Sequence, residues 1–303
     1  MPDPALTEEP LQFGEGGRIF GILTLPSIPP RITQELPAFV FLSAGVLHRV
    51  GPARLHVRLA RELARLGFSS LRVDLAGTGD SPPRPGLTNQ ESVAADCKGI
   101  MDVLDSRLGK LPLVLAGLCS GADNAIRLAP REPRVIGMIL LDPYCYPDDG
   151  FGVREAVNKY TNPVKYAARL KRAFNALKSS HEEKKNGDKS VDYLAIRDLP
   201  TREQLREAFV SIQERKGRAL SVFTQYARPY YNQAGQLDRV LDVEGYRQCC
   251  TELFWPQVEH TFPLELHRRR LVEEIMTWAA GYIRPRTSPG GLAPPQPATV
   301  TET

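Results

Sequence analysis

The segment LVLAGLCSGADNA (113–125) places two side chains capable of nucleophilic attack next to each other, Cys119 and Ser120, in a turn flanked by glycines. An apolar run, then this turn, then a helical pattern is the sequence form of a strand–turn–helix nucleophile elbow. The central residue of such an elbow is held in a strained backbone conformation. Only very small residues fit two positions before it and two after, because helix and strand pack closely there. Centred on Cys119, the pattern is Gly117-Leu118-Cys119-Ser120-Gly121, with glycine at both places. Centred on Ser120, it would put Leu118 and Ala122 there, and leucine is too large. The spacing selects Cys119 as the nucleophile and leaves Ser120 to contribute its backbone N–H to an oxyanion hole. A free thiol titrates at about 8.5, so little of it is thiolate near neutrality. The start of a helix favours the anion. The same residues also admit a structural role, with Cys119 as a small buried apolar side chain and the glycines merely permitting close packing.

The elements around this turn must hold it rigidly. Two short strands joined by a Gly-rich turn are expected over 11–26, and PAFVFLSAG (37–45) reads as a strand. Leu55, Leu59, Leu63 and Leu66 share one face of a helix that stops at Gly67. Strands at 68–77, 111–119 and 134–142 then alternate with helices at 91–109 and 120–129. Helical crossovers of this length predict a mostly parallel sheet covered on both faces, an α/β fold. The sheet pattern resumes at 218–225 and 250–255, and a final helix carries Leu271, Ile275 and Trp278. The expected organisation is therefore an N-terminal core part (1–149), a helical lid insertion (150–216), a C-terminal core part (217–283) and a disordered, Pro- and Thr-rich tail (284–303). Within the insertion, Thr201 and Gln204 have capping-box spacing.

Composition narrows the function classes. The 39 Lys and Arg exceed the 35 Asp and Glu by only four, too mild a balance to argue for nucleic acid. No apolar run reaches the roughly 18 residues of a membrane span, and the start MPDPALTEEP lacks a signal-peptide pattern. Five cysteines without a CxxC pair argue against a disulfide framework or a zinc knuckle and for a reducing, cytoplasmic setting. Neither a metal nor a cofactor is expected. GTGDS (77–81) fails as a dinucleotide loop because Pro82 stands in the place of its third glycine.

The sequence resembles an α/β-hydrolase over about residues 11–283. The motifs that carry the resemblance are SAGVLHRVGP (43–52), LRVDLAGTGDS (71–81), GLCSGAD (117–123) and VEHTF (258–262). More narrowly, LHRVGP, GLCSGAD, LLDPY and EHTF together resemble a bacterial subgroup of hydrolases associated with exosortase and exopolysaccharide functions. The resemblance implies a catalytic histidine at His260, in the loop between the last strand and the last helix. It places the oxyanion loop at 43–52, with the N–H of Val46 joining that of Ser120. The usual acid position follows the strand RALSVFTQ, but YARPYYNQ (226–233) contains no carboxylate. Asp142, at the end of MILLD, is the alternative acid, or else a turn cap before Pro143. His48, Tyr144, Tyr231 and Asn232 are candidates for lining the pocket. The implied reaction is acyl transfer through a Cys119 thioester, from the ester or thioester of a small-molecule or carrier-linked acyl group. Release to another acceptor, or binding without catalysis, remain alternatives.

Overall fold

The computed structural model describes residues 5–27, 35–45, 47–161 and 197–283. Its strands are β1 (Leu6–Phe13), β2 (Ile19–Pro26), β3 (Ala38–Leu42), β4 (Ser70–Asp74), β5 (Leu113–Leu118), β6 (Val135–Leu141), β7 (Arg218–Thr224) and β8 (Cys250–Trp255). They form one sheet in the order β1-β2-β4-β3-β5-β6-β7-β8. β2 runs antiparallel to both its neighbours, and every other pair is parallel. The unbroken apolar runs AFVFL and LVLAGL occupy the centre and are buried along their whole length, as a strand covered on both faces requires.

The described helices are α1 (Leu55–Arg65), α2 (Asn89–Leu108), α3 (Ser120–Leu128), α4 (Phe151–Thr161), α5 (Arg202–Glu214), α6 (Gln236–Leu241), α7 (Tyr246–Cys249) and α8 (Glu265–Ala280). On one face, Leu55, Leu59 and Leu63 of α1 and Leu271, Ile275 and Trp278 of α8 pack on Phe39 and Phe41. On the other, α2, α3 and α5 cover Val40, Leu42 and Leu115. Both N-terminal capping boxes form. Thr88 caps α2, with Glu91 returning the bond at 2.8 Å, and Thr201 caps α5, with Gln204 returning it at 3.0 Å.

Two parts of the organisation differ from the sequence expectation. Helix α5 falls within the expected lid insertion, but Leu205, Ala208, Phe209 and Ile212 are fully buried in the main core. It is a sheet-covering helix, so the core resumes before residue 217. The stretch 162–196, which holds most of the expected lid, lies outside the described residues, as does the tail from 284. The helices α6 and α7 carried no sequence signal, because four to six residues are too few to display a 3.6-residue period.

Candidate active site

The turn between β5 and α3 has the geometry that its glycines predict. Cys119 caps α3 at φ 55° and ψ −122°, outside the regions open to ordinary L-residues. A Cβ on Gly117 would lie 2.2 Å from the carbonyl carbon of Gly121, and one on Gly121 would lie 2.7 Å from the Leu42 oxygen. Neither position tolerates a side chain. Ser120 is the first residue of α3. Its Oγ accepts the N–H of Gly45 at 2.7 Å, so its hydroxyl faces the loop after β3.

The carboxyl group of Asp142 is wholly buried at the end of β6, on a backbone with φ 47°. Oδ1 accepts the Thr224 N–H at 2.6 Å, and Oδ2 accepts the Thr224 hydroxyl at 2.6 Å. Oδ2 also lies 2.7 Å from Nδ1 of His260. The alternative of a local turn cap is therefore set aside, because the side chain points across the sheet end to β7 and the histidine. His260 sits in the loop between β8 and α8, which is tied down by the Gln225 N–H donating to the Val258 carbonyl at 3.0 Å. With Nδ1 committed to Asp142, the remaining ring nitrogen is the one left to serve Cys119, and thiol and imidazole each shift the other's titration. Asp142, His260 and Cys119 thus stand in sequence at one end of the sheet.

Its electrostatics favour an ion pair. Burial opposes ionisation of the Cys119 thiol, but the hydrogen bond from His260 and the positive charges of Arg197 and His260 outweigh it and hold the thiol below its ordinary value. Burial likewise disfavours imidazolium, yet hydrogen bonds to Asp142 and Cys119 raise His260 to about 9. Both shifts favour the thiolate–imidazolium form over the neutral pair, a state that belongs to both groups. Arg197 stands just before α5. Its Nε pairs with buried Asp123 of α3, and its Nη2 donates to the Asp142 carbonyl at 3.1 Å.

The loop following β3 is held from below. The backbone N–H of Arg49 donates to Asp74, its guanidinium pairs with Asp74, and it bridges to Asp80 at 2.7 Å. The Leu75 N–H donates to Ser43 Oγ at 3.1 Å. The segment 71–81 therefore acts as an anchor for the 43–52 loop. Val46 lies outside the described residues, and the N–H of its neighbour Gly45 is taken by the Ser120 hydroxyl.

The four expected pocket residues part company. Tyr144 flanks the site: its ring packs against Tyr146 and Tyr230 with centroids 5.0 Å away in each case, and its N–H donates to Asp123 at 3.0 Å. His48 is exposed, and its Nδ1 accepts only a long 3.5 Å contact from Val50 N. Tyr231 is a core residue, not a pocket residue. It is fully buried, stacked on Phe223 at 3.7 Å and bonded to Glu252 of β8. Asn232 is committed to the start of α4, accepting from Arg154 at 2.8 Å and donating to the Phe151 carbonyl at 3.1 Å. Sequence reasoning missed Thr224, Arg197 and Tyr226, whose ring stacks on His260 with centroids 4.0 Å apart. The one available signal was position, since Thr224 and Tyr226 flank the end of the strand where an acid was sought. Among the described residues no cluster of histidine, cysteine and carboxylate groups is suited to a metal, and no helix is long and apolar enough to cross a membrane.

Residues 38–255 match the family model described as serine aminopeptidase, S33. No curated protein matches the sequence. An esterase of Pyrococcus furiosus superposes with a TM-score of 0.54 at 11% identity, over 93% of each chain. Est1E of Butyrivibrio proteoclasticus superposes with a TM-score of 0.51 at 14% identity, over 90% of this chain and 98% of its own. The fold is that of the α/β-hydrolases.

Proposed function

Because the chain belongs to the hydrolase family described as serine aminopeptidase, S33, yet carries cysteine at the point of its elbow, we propose that it is an acyl-transfer hydrolase with Cys119 as nucleophile. The observation that carries this reading is buried Asp142 holding His260 at 2.7 Å at the end of the sheet where the strained Cys119 elbow emerges. In the first half-reaction the thiolate attacks the carbonyl carbon of an ester or thioester. The developing oxyanion takes the N–H of Ser120 and that of Val46, a type of stabilisation that typically supplies about 3 to 4 kcal/mol per donor. The His260 imidazolium gives its proton to the departing alcohol or thiol, leaving a Cys119 thioester. Water then attacks the thioester, with His260 as base, and the thiolate departs.

Esters, thioesters and lactones suit this site better than amides, because a resting thiolate demands little of the base while an amine leaving group demands much of the acid. The free acyl group belongs to a small molecule or to a carrier. The motifs LHRVGP, GLCSGAD, LLDPY and EHTF support a place in the exopolysaccharide-associated bacterial subgroup. The deciding measurement is intact mass after brief exposure to a p-nitrophenyl ester, for wild type, Cys119→Ala, Ser120→Ala and His260→Ala. An acyl adduct that vanishes in Cys119→Ala and persists in Ser120→Ala is the expected result. An adduct lost only in Ser120→Ala would move the nucleophile to the serine.

A further inference from the structure

Tyr226 follows β7 directly, in the stretch that holds no carboxylate. Its ring lies nearly parallel to that of His260, with centroids 4.0 Å apart and planes 19° from each other. Its N–H donates to Thr224 Oγ1 at 3.3 Å, the same hydroxyl that grips Asp142. One threonine therefore locates both the acid and the tyrosine. The half-buried Tyr226 side chain is held against the face of the imidazole, and the titration of its hydroxyl is raised by burial and by the neighbouring Cys119, with Arg197 opposing. Arg197 is nearly fully buried, with Nε on Asp123 and Nη2 on the Asp142 carbonyl; its Nη1 has no hydrogen-bond partner of its own. Three donor side chains converge on this end of the sheet: His260 from the β8–α8 loop, Tyr226 stacked on it from the end of β7, and Arg197 from the approach to α5. Two carboxylates stand behind these donors, Asp123 on α3 and Asp142 on β6.

We propose that Tyr226 is a catalytic residue whose hydroxyl donates a hydrogen bond to the Cys119 sulfur, and that its main work is to receive that sulfur as the leaving group when the acyl-enzyme breaks down. The inference rests on the acyl-enzyme reading above. In the second half-reaction, water adds to the thioester carbonyl as His260 takes one of its protons. The tetrahedral intermediate collapses, the carbon–sulfur bond breaks, and its electron pair stays on sulfur. The carboxylic acid leaves, and the thiolate is met by the Tyr226 hydroxyl and by the imidazolium just formed. Because a more stable thiolate is a weaker nucleophile but a better leaving group, the donor speeds deacylation more than it speeds attack.

Tyr226→Phe keeps the ring on His260 and removes only the hydroxyl, whereas Tyr226→Ala removes both. Two measurements separate the roles. The rate of Cys119 alkylation by iodoacetamide against pH reports the thiol itself and needs no turnover. Rapid-quench intact mass with a p-nitrophenyl ester separates acylation from deacylation. For Tyr226→Phe, we expect the alkylation inflection to move up by about one pH unit, and deacylation to slow about tenfold while acylation changes less than threefold, so that acyl-enzyme accumulates. An unshifted alkylation profile, or equal slowing of both half-reactions, overturns the proposal. A silent Tyr226→Phe beside an impaired Tyr226→Ala does so too and reduces the residue to packing. If wild type forms no adduct at Cys119, the acyl-enzyme reading fails instead.

Discussion

Asp142→Asn is the sharpest test of the relay, because the structure fixes both the size and the pH dependence of its effect. Asp142 accepts three hydrogen bonds, from the Thr224 N–H, the Thr224 hydroxyl and His260 Nδ1. An asparagine amide has one oxygen to offer, and its NH₂ must face a donor. Burial alone would lower His260, and it is the bonds to Asp142 and Cys119 that bring it up to about 9 from 6.5, a preference for imidazolium worth about 3 kcal/mol. Without the carboxylate, burial is opposed by Cys119 alone, and the ring returns to its ordinary value or below. The sign follows directly. A raised histidine keeps its proton up to about 9, so the wild-type imidazolium persists through pH 8 and is lost above about 9. In the variant it is lost from about 6.5 upward, leaving about 3% of the enzyme protonated at pH 8, a loss of about thirtyfold from protonation alone. Misorientation of the ring adds to this at every pH. Measuring kcat/KM on a p-nitrophenyl ester from pH 5.5 to 10 should therefore show a deficit that widens between pH 6.5 and 9. If Asp142→Asn keeps an alkaline limb near 9 and stays within threefold of wild type at pH 8, Asp142 neither orients nor charges His260.

Two further substitutions test how the scaffold holds the site. Gly121→Ala puts a methyl group 2.7 Å from the Leu42 carbonyl and 2.9 Å from that of Ser43. Backbone cannot yield as a side chain does, so thermal unfolding should fall by several degrees, about 1–3 kcal/mol, and Cys119 alkylation should slow with it; an unchanged Tm and alkylation rate would mean that the elbow is looser than it stands here. Thr88→Ala removes the α2 capping box on the exposed rim. It should cost about 1 kcal/mol of stability in denaturant titration and leave the acylation rate unaltered.

The fold was legible because its strands and helices announce themselves in different periods. The unbroken runs AFVFL and LVLAGL fit only a sheet buried on both faces, and the leucine stripe of α1 fits only a helix laid on one. The elbow was legible because two glycines mark a close approach that no other residue permits. Arg197 was not, since it is one arginine in a Lys- and Arg-rich stretch and only its burial against Asp123 distinguishes it. Tyr226 and Tyr231 are five positions apart in similar surroundings. One stacks on His260 and the other packs under β7 and β8, a difference set by the turn after Thr224 and invisible in spacing.

The sheet register explains how an acid on β6 can serve where one after β7 was sought. Leu118 of β5 pairs with Leu141 of β6, and Leu141 pairs with Val222 of β7. Cys119 and Asp142 therefore emerge from adjacent strands in the same row of the sheet, with Thr224 just beyond that row on β7. Neighbouring strands lie about 4.8 Å apart, so moving the acid by one strand displaces its carboxylate by less than the length of its own side chain and its hydrogen bonds together. Thr224 completes the exchange. Standing at the end of β7, it supplies two donors in place of a carboxylate and steers Asp142 toward His260. The space that this leaves after β7 is where Tyr226 lies over the imidazole. On this view the shifted acid and the tyrosine at the sulfur are one arrangement. A Thr224→Val substitution that releases Asp142 should therefore also release Tyr226, lowering the alkaline limb of activity and raising the alkylation inflection of Cys119 together; movement of one without the other would show that they are independent.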